Sequence, residues 1–174
     1  MDFWSAGLVL GGYLLGSVPF GLLVTRLLGG PDPRGGGSGN IGATNVTRLA
    51  GKTAGVATLF LDAAKGTAPT AVALNYLEPA GAAAVGLAAF LGHIFPLYLG
   101  FKGGKGVATA LGVLAAVSPL GLLATMAVLA LTAWLSGHVS LGSLAGCAGA
   151  PLWLWLLGHP APFVIMALAM ALLV

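Results

Sequence analysis

Seven basic and four acidic side chains cannot coat the surface of a water-soluble fold of 174 residues. Soluble domains carry about 25% charged residues, whereas here the share is 6%, against 58% apolar, with a mean hydropathy of +1.01. Disorder needs the opposite balance of low hydrophobicity and high charge. The 29 glycines follow no three-residue period, which excludes collagen. The composition therefore predicts an all-α polytopic membrane protein, one domain over residues 1–174. The one cysteine, Cys147, lies in an apolar stretch and reads as a small buried hydrophobe.

Apolar runs predict about seven transmembrane helical segments. The first covers Phe3 to Val24; with Asp2 in place of a basic leader and an apolar run beyond ~7–15 residues, it is not a secretory signal. The others run from Gly55 (entering over Asp62 and Lys65) to Asn75, Ala80 to Leu99, Val107 to Val117, Leu120 to Leu135, Leu141 to Leu157, and Pro162 to Val174. The stretch from Lys105 to Val117 spans about 20 Å as helix, short of a hydrocarbon core of about 30 Å. It either starts inside the membrane from a re-entrant loop or thins the bilayer. Irregular backbone at that depth is tolerated only beside protein or a water-filled cavity, which suggests a site. Trp4, Trp134, Trp153 and Trp155 read as interfacial anchors.

Every basic residue falls on one side of these spans. Arg26, Arg34, Arg48 and Lys52 follow the first, Lys65 enters the second, and Lys102 and Lys105 link the third to the fourth. The positive-inside rule then puts the N-terminus outside and both Gly-rich loops in the cytoplasm. The pI near 9.4 reflects that cluster and not a nucleic-acid surface.

The first loop reads Pro31-Asp-Pro-Arg-Gly-Gly-Gly-Ser-Gly-Asn-Ile-Gly-Ala-Thr-Asn-Val-Thr-Arg48, the second Gly100-Phe-Lys-Gly-Gly-Lys-Gly-Val-Ala-Thr109. Glycines let backbone approach a ligand, and successive N–H groups ahead of a helix make an anion-binding concavity. Arg48, Lys102 and Lys105 add charge, and Ser38, Thr44 and Thr109 add hydroxyls. Such loops suit phosphate or carboxylate. Gly39-x-x-x-Ala43-Thr44 and Gly104-x-x-x-Ala108-Thr109 share a spacing too short to establish a repeat. By contrast Gly7, Gly11, Gly12 and Gly16 in the first span read as close helix packing.

Several chemistries are missing. The second loop is not a Walker A motif. His93, His138 and His159 are followed five positions on by Tyr98, Ser143 and Val164, so none begins a His-x4-Asp acyltransferase dyad. The four carboxylates, Asp2, Asp32, Asp62 and Glu78, fall on both sides, too few for a two-metal site. Asp62 and Lys65, three apart on one helix face, are either a mutually satisfied pair orienting the first loop or direct participants. His93 either polarises a hydroxyl or caps buried carbonyls. A transporter of a phosphorylated solute is the competing class, since broken helices also point N-termini at anions; the one-sided charge argues against it.

These loops carry a resemblance. Gly37-Ser-Gly-Asn-Ile-Gly-Ala-Thr-Asn-Val-Thr-Arg48 is similar to the first signature of the bacterial membrane acyl-phosphate:glycerol-3-phosphate acyltransferases. Gly92-His-Ile-Phe-Pro and Phe101-Lys-Gly-Gly-Lys-Gly-Val-Ala-Thr109 are similar to the second. The likeness extends over Tyr13-Leu-Leu-Gly-Ser, Phe60-Leu-Asp-Ala-Ala-Lys-Gly66 and Val139-Ser-Leu-Gly-Ser143. It implies a seven-helix membrane enzyme that makes lysophosphatidic acid from glycerol 3-phosphate and acyl phosphate, with no cofactor, no metal and no nucleic acid, and membrane lipid around the acyl tail. It implies phosphate-holding roles for Ser38, Gly39, Thr44, Arg48, Lys102, Gly103, Gly104, Lys105, Gly106, Thr109 and Ser143. Asn40 and Asn45 would orient substrate or loop, and with His93 they are the catalytic candidates. A substrate phosphate would serve as base. The family carries a third polar signature, with His, Asn and Arg, just after its last span. Either that signature lies beyond Val174 or this protein lacks part of the family's site, in which case it would bind phosphate but turn over slowly.

Overall fold

The computed structural model describes residues 3–174, so Asp2 lies outside the described residues. Helices α1 (Phe3–Gly16), α2 (Phe20–Leu27), α3 (Ala43–Tyr76), α4 (Pro79–Ile94), α5 (Val107–Val117), α6 (Pro119–Ser136), α7 (Val139–Leu156) and α8 (Ala161–Leu173) account for most of it. Among the described residues there is no strand. Three stretches, Pro79–Leu99, Pro119–Ser136 and Val139–Leu156, are long and apolar enough to cross a bilayer; α1 and α2 together make a fourth, while α5 and α8 are shorter.

The first span is not one helix, as expected, but two at 42°. Pro19 has no N–H to donate and disfavours helical backbone at Val18, so the ladder ends with Ser17 N donating to Tyr13 O. α3 likewise begins at Ala43, well before Gly55, and runs through a break at Gly51, whose φ of 87° a Cβ would oppose. Pro69 inside α3 also lacks an N–H. Thr67 and Thr70 there donate back to Ala63 O and Gly66 O, and Thr67 Oγ1 also reaches Gly112 O of α5 at 2.8 Å.

Small residues set the helix spacing. A Cβ on Gly16 would collide with Ala89 O, on Gly92 with Tyr13 O, on Gly66 with Thr109 O, and on Gly112 with Ala63 O. Thus α1 lies against α4, and α3 against α5. Gly7 and Gly11, expected to pack equally tightly, have nothing within 4 Å of such a Cβ. Phe90, Val113, Leu114, Leu154, Phe163 and Met166 fill the core between α4, α5, α7 and α8. Cys147 is buried as expected. Trp4, Trp134 and Trp155 are exposed. Trp153 is half-buried, with Nε1 covered near Gly149 one turn earlier on the same helix.

The second loop brings the short fourth segment back to the end of α4. Gly103 N and Gly104 N donate to Ile94 O and His93 O, folding the loop back onto the end of α4. Consequently α5 begins beside α4's last turn.

Gly112→Ala should therefore force α3 and α5 apart and lower stability by ~1–3 kcal/mol. Gly11→Ala should leave the melting midpoint unchanged or raised. Thermal unfolding of the purified protein in detergent checks both.

Candidate active site

One side chain organises the first loop. Asn45, buried at the start of α3, donates from Nδ2 to Pro33 O at 2.9 Å, Asn40 O at 2.9 Å and Gly36 O at 3.2 Å. Its Oδ1 accepts from Ser38 N at 3.0 Å and lies 3.4 Å from Arg48 Nη1. Gly37 and Gly39 turn the chain at φ of 58° and 69°, and a Cβ on Gly37 would collide with Asn45 Oδ1. Asn45 is thus the orienter of the loop, its amide fully occupied by backbone. Asp32 caps the 3-10 turn at Pro33–Gly35 and pairs with Arg34, Nη2 to Oδ2 at 2.6 Å. The Arg34 hydrogen bonds hold the Asp32 carboxyl down at about 2. Arg34 is therefore neutralised locally, whereas Arg48 has no carboxylate partner among the described residues.

The hydroxyls of Ser38 and Thr44 lie exposed, without hydrogen bonds among the described residues. Lys102 and Lys105 are exposed and form no ion pair there. The continuous N–H cradle expected of the second loop is not formed, since Gly103 and Gly104 spend their N–H groups on α4. Backbone donors become free from Lys105 onward, where left-handed Gly106 (φ 77°) starts α5 and packs on Phe90. The loop thus offers two ammonium groups over a helix start.

The loops meet at Gly104. A Cβ there would collide with His93 Nε2 and lie 3.1 Å from Asn40 Oδ1, so the second loop, the end of α4 and the first loop converge on one glycine. Asn40 Oδ1 also accepts from Gly42 N at 2.8 Å, ahead of α3. Beneath lies a buried polar cluster. Lys65 Nζ is 2.9 Å from Asp62 Oδ1 and donates to Val18 O, in the break between α1 and α2, at 2.8 Å. His93 Nδ1 is 3.5 Å from Asp62 Oδ1 and 3.2 Å from Thr109 Oγ1. The ring of Phe20 lies 5.8 Å from Lys65 Nζ, within cation–π reach.

A family model for glycerol-3-phosphate acyltransferase matches residues 6–174. The chain belongs to this family. It is 50% identical over 157 residues to a glycerol-3-phosphate acyltransferase of Syntrophotalea carbinolica, covering 88% of this chain and 80% of the relative. It is 55% identical over 148 residues to one of Myxococcus xanthus, covering 84% and 77%. Its fold is similar to crystal structures of PlsY, an integral membrane glycerol 3-phosphate acyltransferase, at 43% identity and with 97% of this chain and 85% of that chain covered. TM-scores are 0.93 for the glycerol 3-phosphate form and 0.89 for the lysophosphatidic acid form. These comparisons lend no support to the transporter reading.

Within this acyltransferase one residue expected to hold phosphate is turned inward. Thr109 is fully buried, because its turn of α5 faces α3 and α4, and its hydroxyl serves His93. Thr44, its counterpart in the shared spacing, is exposed, so the two Gly-x-x-x-Ala-Thr segments are not equivalent. Ser143 lies one turn into α7, and its hydroxyl donates back to Val139 O at 2.9 Å. The contact of Asp62 with His93 escaped the sequence reading, since only the need of a buried carboxylate for partners signals it.

Asn45→Ala should leave the Pro33 and Asn40 carbonyls and the Ser38 N–H without this partner, while Gly36 O keeps Gly39 N, at ~1–3 kcal/mol for each group left buried. Hydrogen exchange should rise across residues 36–42 while the helices stay protected. A pH titration should show Asp32 gaining its proton near 2, well below the ordinary 3.8. Because that pKa is lowered on folding, the cap contributes above 3.8 and is lost as pH falls toward 2.

Proposed function

We propose that this acyltransferase takes its acyl group from acyl phosphate and passes it to a hydroxyl of glycerol 3-phosphate, giving lysophosphatidic acid and inorganic phosphate. The observation that carries this reading is the convergence, at Gly104 and Asn40, of two loops in which Arg48, Lys102 and Lys105 have no carboxylate partner and the Ser38 and Thr44 hydroxyls form no hydrogen bond among the described residues.

Both substrates are anionic, so the first difficulty is holding like charges together. Arg48, Ser38 and Thr44 on one loop and Lys102 and Lys105 on the other supply charge-assisted and neutral donors to phosphate oxygens. Held there, the glycerol hydroxyl faces the acyl carbon, and positioning replaces a costly encounter. The hydroxyl oxygen attacks that carbon, the bond from carbon to the phosphate oxygen breaks, and phosphate leaves with the electron pair. The hydroxyl proton goes to a substrate phosphate, consistent with the scarcity of carboxylates near the loops. Donors that stay in place as charge moves to the leaving phosphate stabilise the transition state.

Residues 3–174 would then act as a single membrane domain. All basic side chains outside the spans lie at the loop end, so the positive-inside rule places the N-terminus outside and the site in the cytoplasm of a bacterial cell. The acyl tail would lie along the apolar helix surface, with lipid.

Lys105→Ala and Arg48→Ala should each lose roughly ten- to a hundredfold in turnover, since a charge-assisted hydrogen bond contributes ~1.5–3 kcal/mol. Expression should hold, because neither side chain is buried. Acyl phosphate should support turnover where acyl-CoA does not, and EDTA should leave the rate unchanged. The readout is lysophosphatidic acid formed by purified protein; comparable rates with acyl-CoA would contradict the donor assignment.

A further inference from the structure

Asp62, Lys65 and His93 are the charged and histidine side chains buried among the described residues, and the transfer described above leaves all three unused. Charge placed that deep in an apolar bundle is expensive unless paired, and an intramembrane ionisable residue marks function by default. Pairing alone would need only Asp62 and Lys65. The third member reaches the site: the same carboxylate oxygen faces His93 Nδ1, and the opposite side of that imidazole backs Gly104.

His93 grips Gly104 twice. Its carbonyl accepts the Gly104 N–H at 3.1 Å, and its ring fills the space where a Gly104 side chain would be. Asn40 Oδ1 borders that same space from the first loop. The angle of the His93 ring therefore sets how closely the second loop approaches the first. Two neighbours fix that angle, Thr109 Oγ1 at 3.2 Å and Asp62 Oδ1 at 3.5 Å, both at Nδ1. Lys65 holds the carboxylate in turn, and its bond to Val18 O pins the cluster to the break between α1 and α2.

We propose that Asp62 is a positioning residue for acyl transfer: acting through His93, it holds Gly104 of the second loop in register with Asn40 of the first, while Lys65 balances its buried charge. A carboxylate 3.5 Å from Nδ1 favours the ring proton on that side, which leaves Nε2 bare toward the loop junction. The role rests on the reading that the two loops hold the reacting groups. It governs alignment more than binding, because Arg48 and Lys105 keep their contacts when the register slips.

Two double variants in nanodiscs separate this role from plain packing. Asp62→Asn/Lys65→Met removes both charges but keeps an acceptor for the Nδ1 proton; Asp62→Leu/Lys65→Met removes the acceptor too. Replacing a buried pair by apolar groups is often neutral to stability, so both should melt near the wild type. The first should keep kcat within about threefold, and the second should lose about tenfold or more with the glycerol 3-phosphate KM little changed. The 15N imidazole signals of substrate-free protein, with His93 assigned by their loss in His93→Gln, should show the Nδ1–H form in wild type. Asp62→Leu/Lys65→Met should shift toward Nε2–H. Equal kcat in the two doubles, a loss confined to KM, or an unmoved tautomer would overturn the proposal. Should Asp62→Leu/Lys65→Met fail to fold, isosteric Thr109→Val tests the same axis: a fall in kcat at constant KM supports it, and wild-type kcat overturns it. Wild-type protein that makes no lysophosphatidic acid would instead overturn the functional reading, which the imidazole signals do not address.

Discussion

A carboxylate and an ammonium 2.9 Å apart, nearly inaccessible to water, hold the middle of this bundle together. Taking either charge out of water costs several kcal/mol, and their attraction offsets that only with further polar partners. The fold supplies those partners by breaking its own first span. Pro19 ends the α1 ladder, and the Val18 carbonyl beside the break receives Lys65. A proline that would weaken an isolated helix here provides the acceptor that a buried lysine needs. Asp62 takes His93 as its second neighbour, which carries the cluster to the site.

Glycine then brings backbones close enough for those contacts. Gly16 and Gly92 seat α1 on α4, while Gly66 and Gly112 seat α3 on α5, so Asp62, Lys65, His93 and Thr109 come within reach of one another from three helices. Above them the second loop is too tightly folded onto α4 to use its glycine N–H groups for a ligand. Its contribution to anion binding is thereby shifted to Lys102, Lys105 and the first donors of α5.

The helical membrane architecture was legible because charge content and apolar run length are properties of local sequence. So were the loops that meet, since glycines interleaved with Asn, Arg and Lys have no good packing explanation. The break at Pro19 was missed because the apolar run continues unchanged through it, and hydropathy does not register backbone geometry. Thr109 was read as a phosphate ligand because the motif shows which residues are present, not which face of α5 each one occupies. Asp62 and His93, 31 positions apart in the chain, are joined only by helix packing. The pairing of Asp62 with Lys65 was visible from their spacing on one helix face.

The central claim is that both loops grip one reacting assembly. Solid-state NMR dephasing between the phosphorus of bound glycerol 3-phosphate and acyl phosphate and 15N in the Arg48 guanidinium and the Lys105 ammonium tests it most directly, in bilayers under a non-hydrolysable acyl phosphate analogue. Coupling of substrate phosphorus to both nitrogens is the predicted result. Coupling to neither, or to nitrogens of one loop alone with both substrates bound, would contradict it.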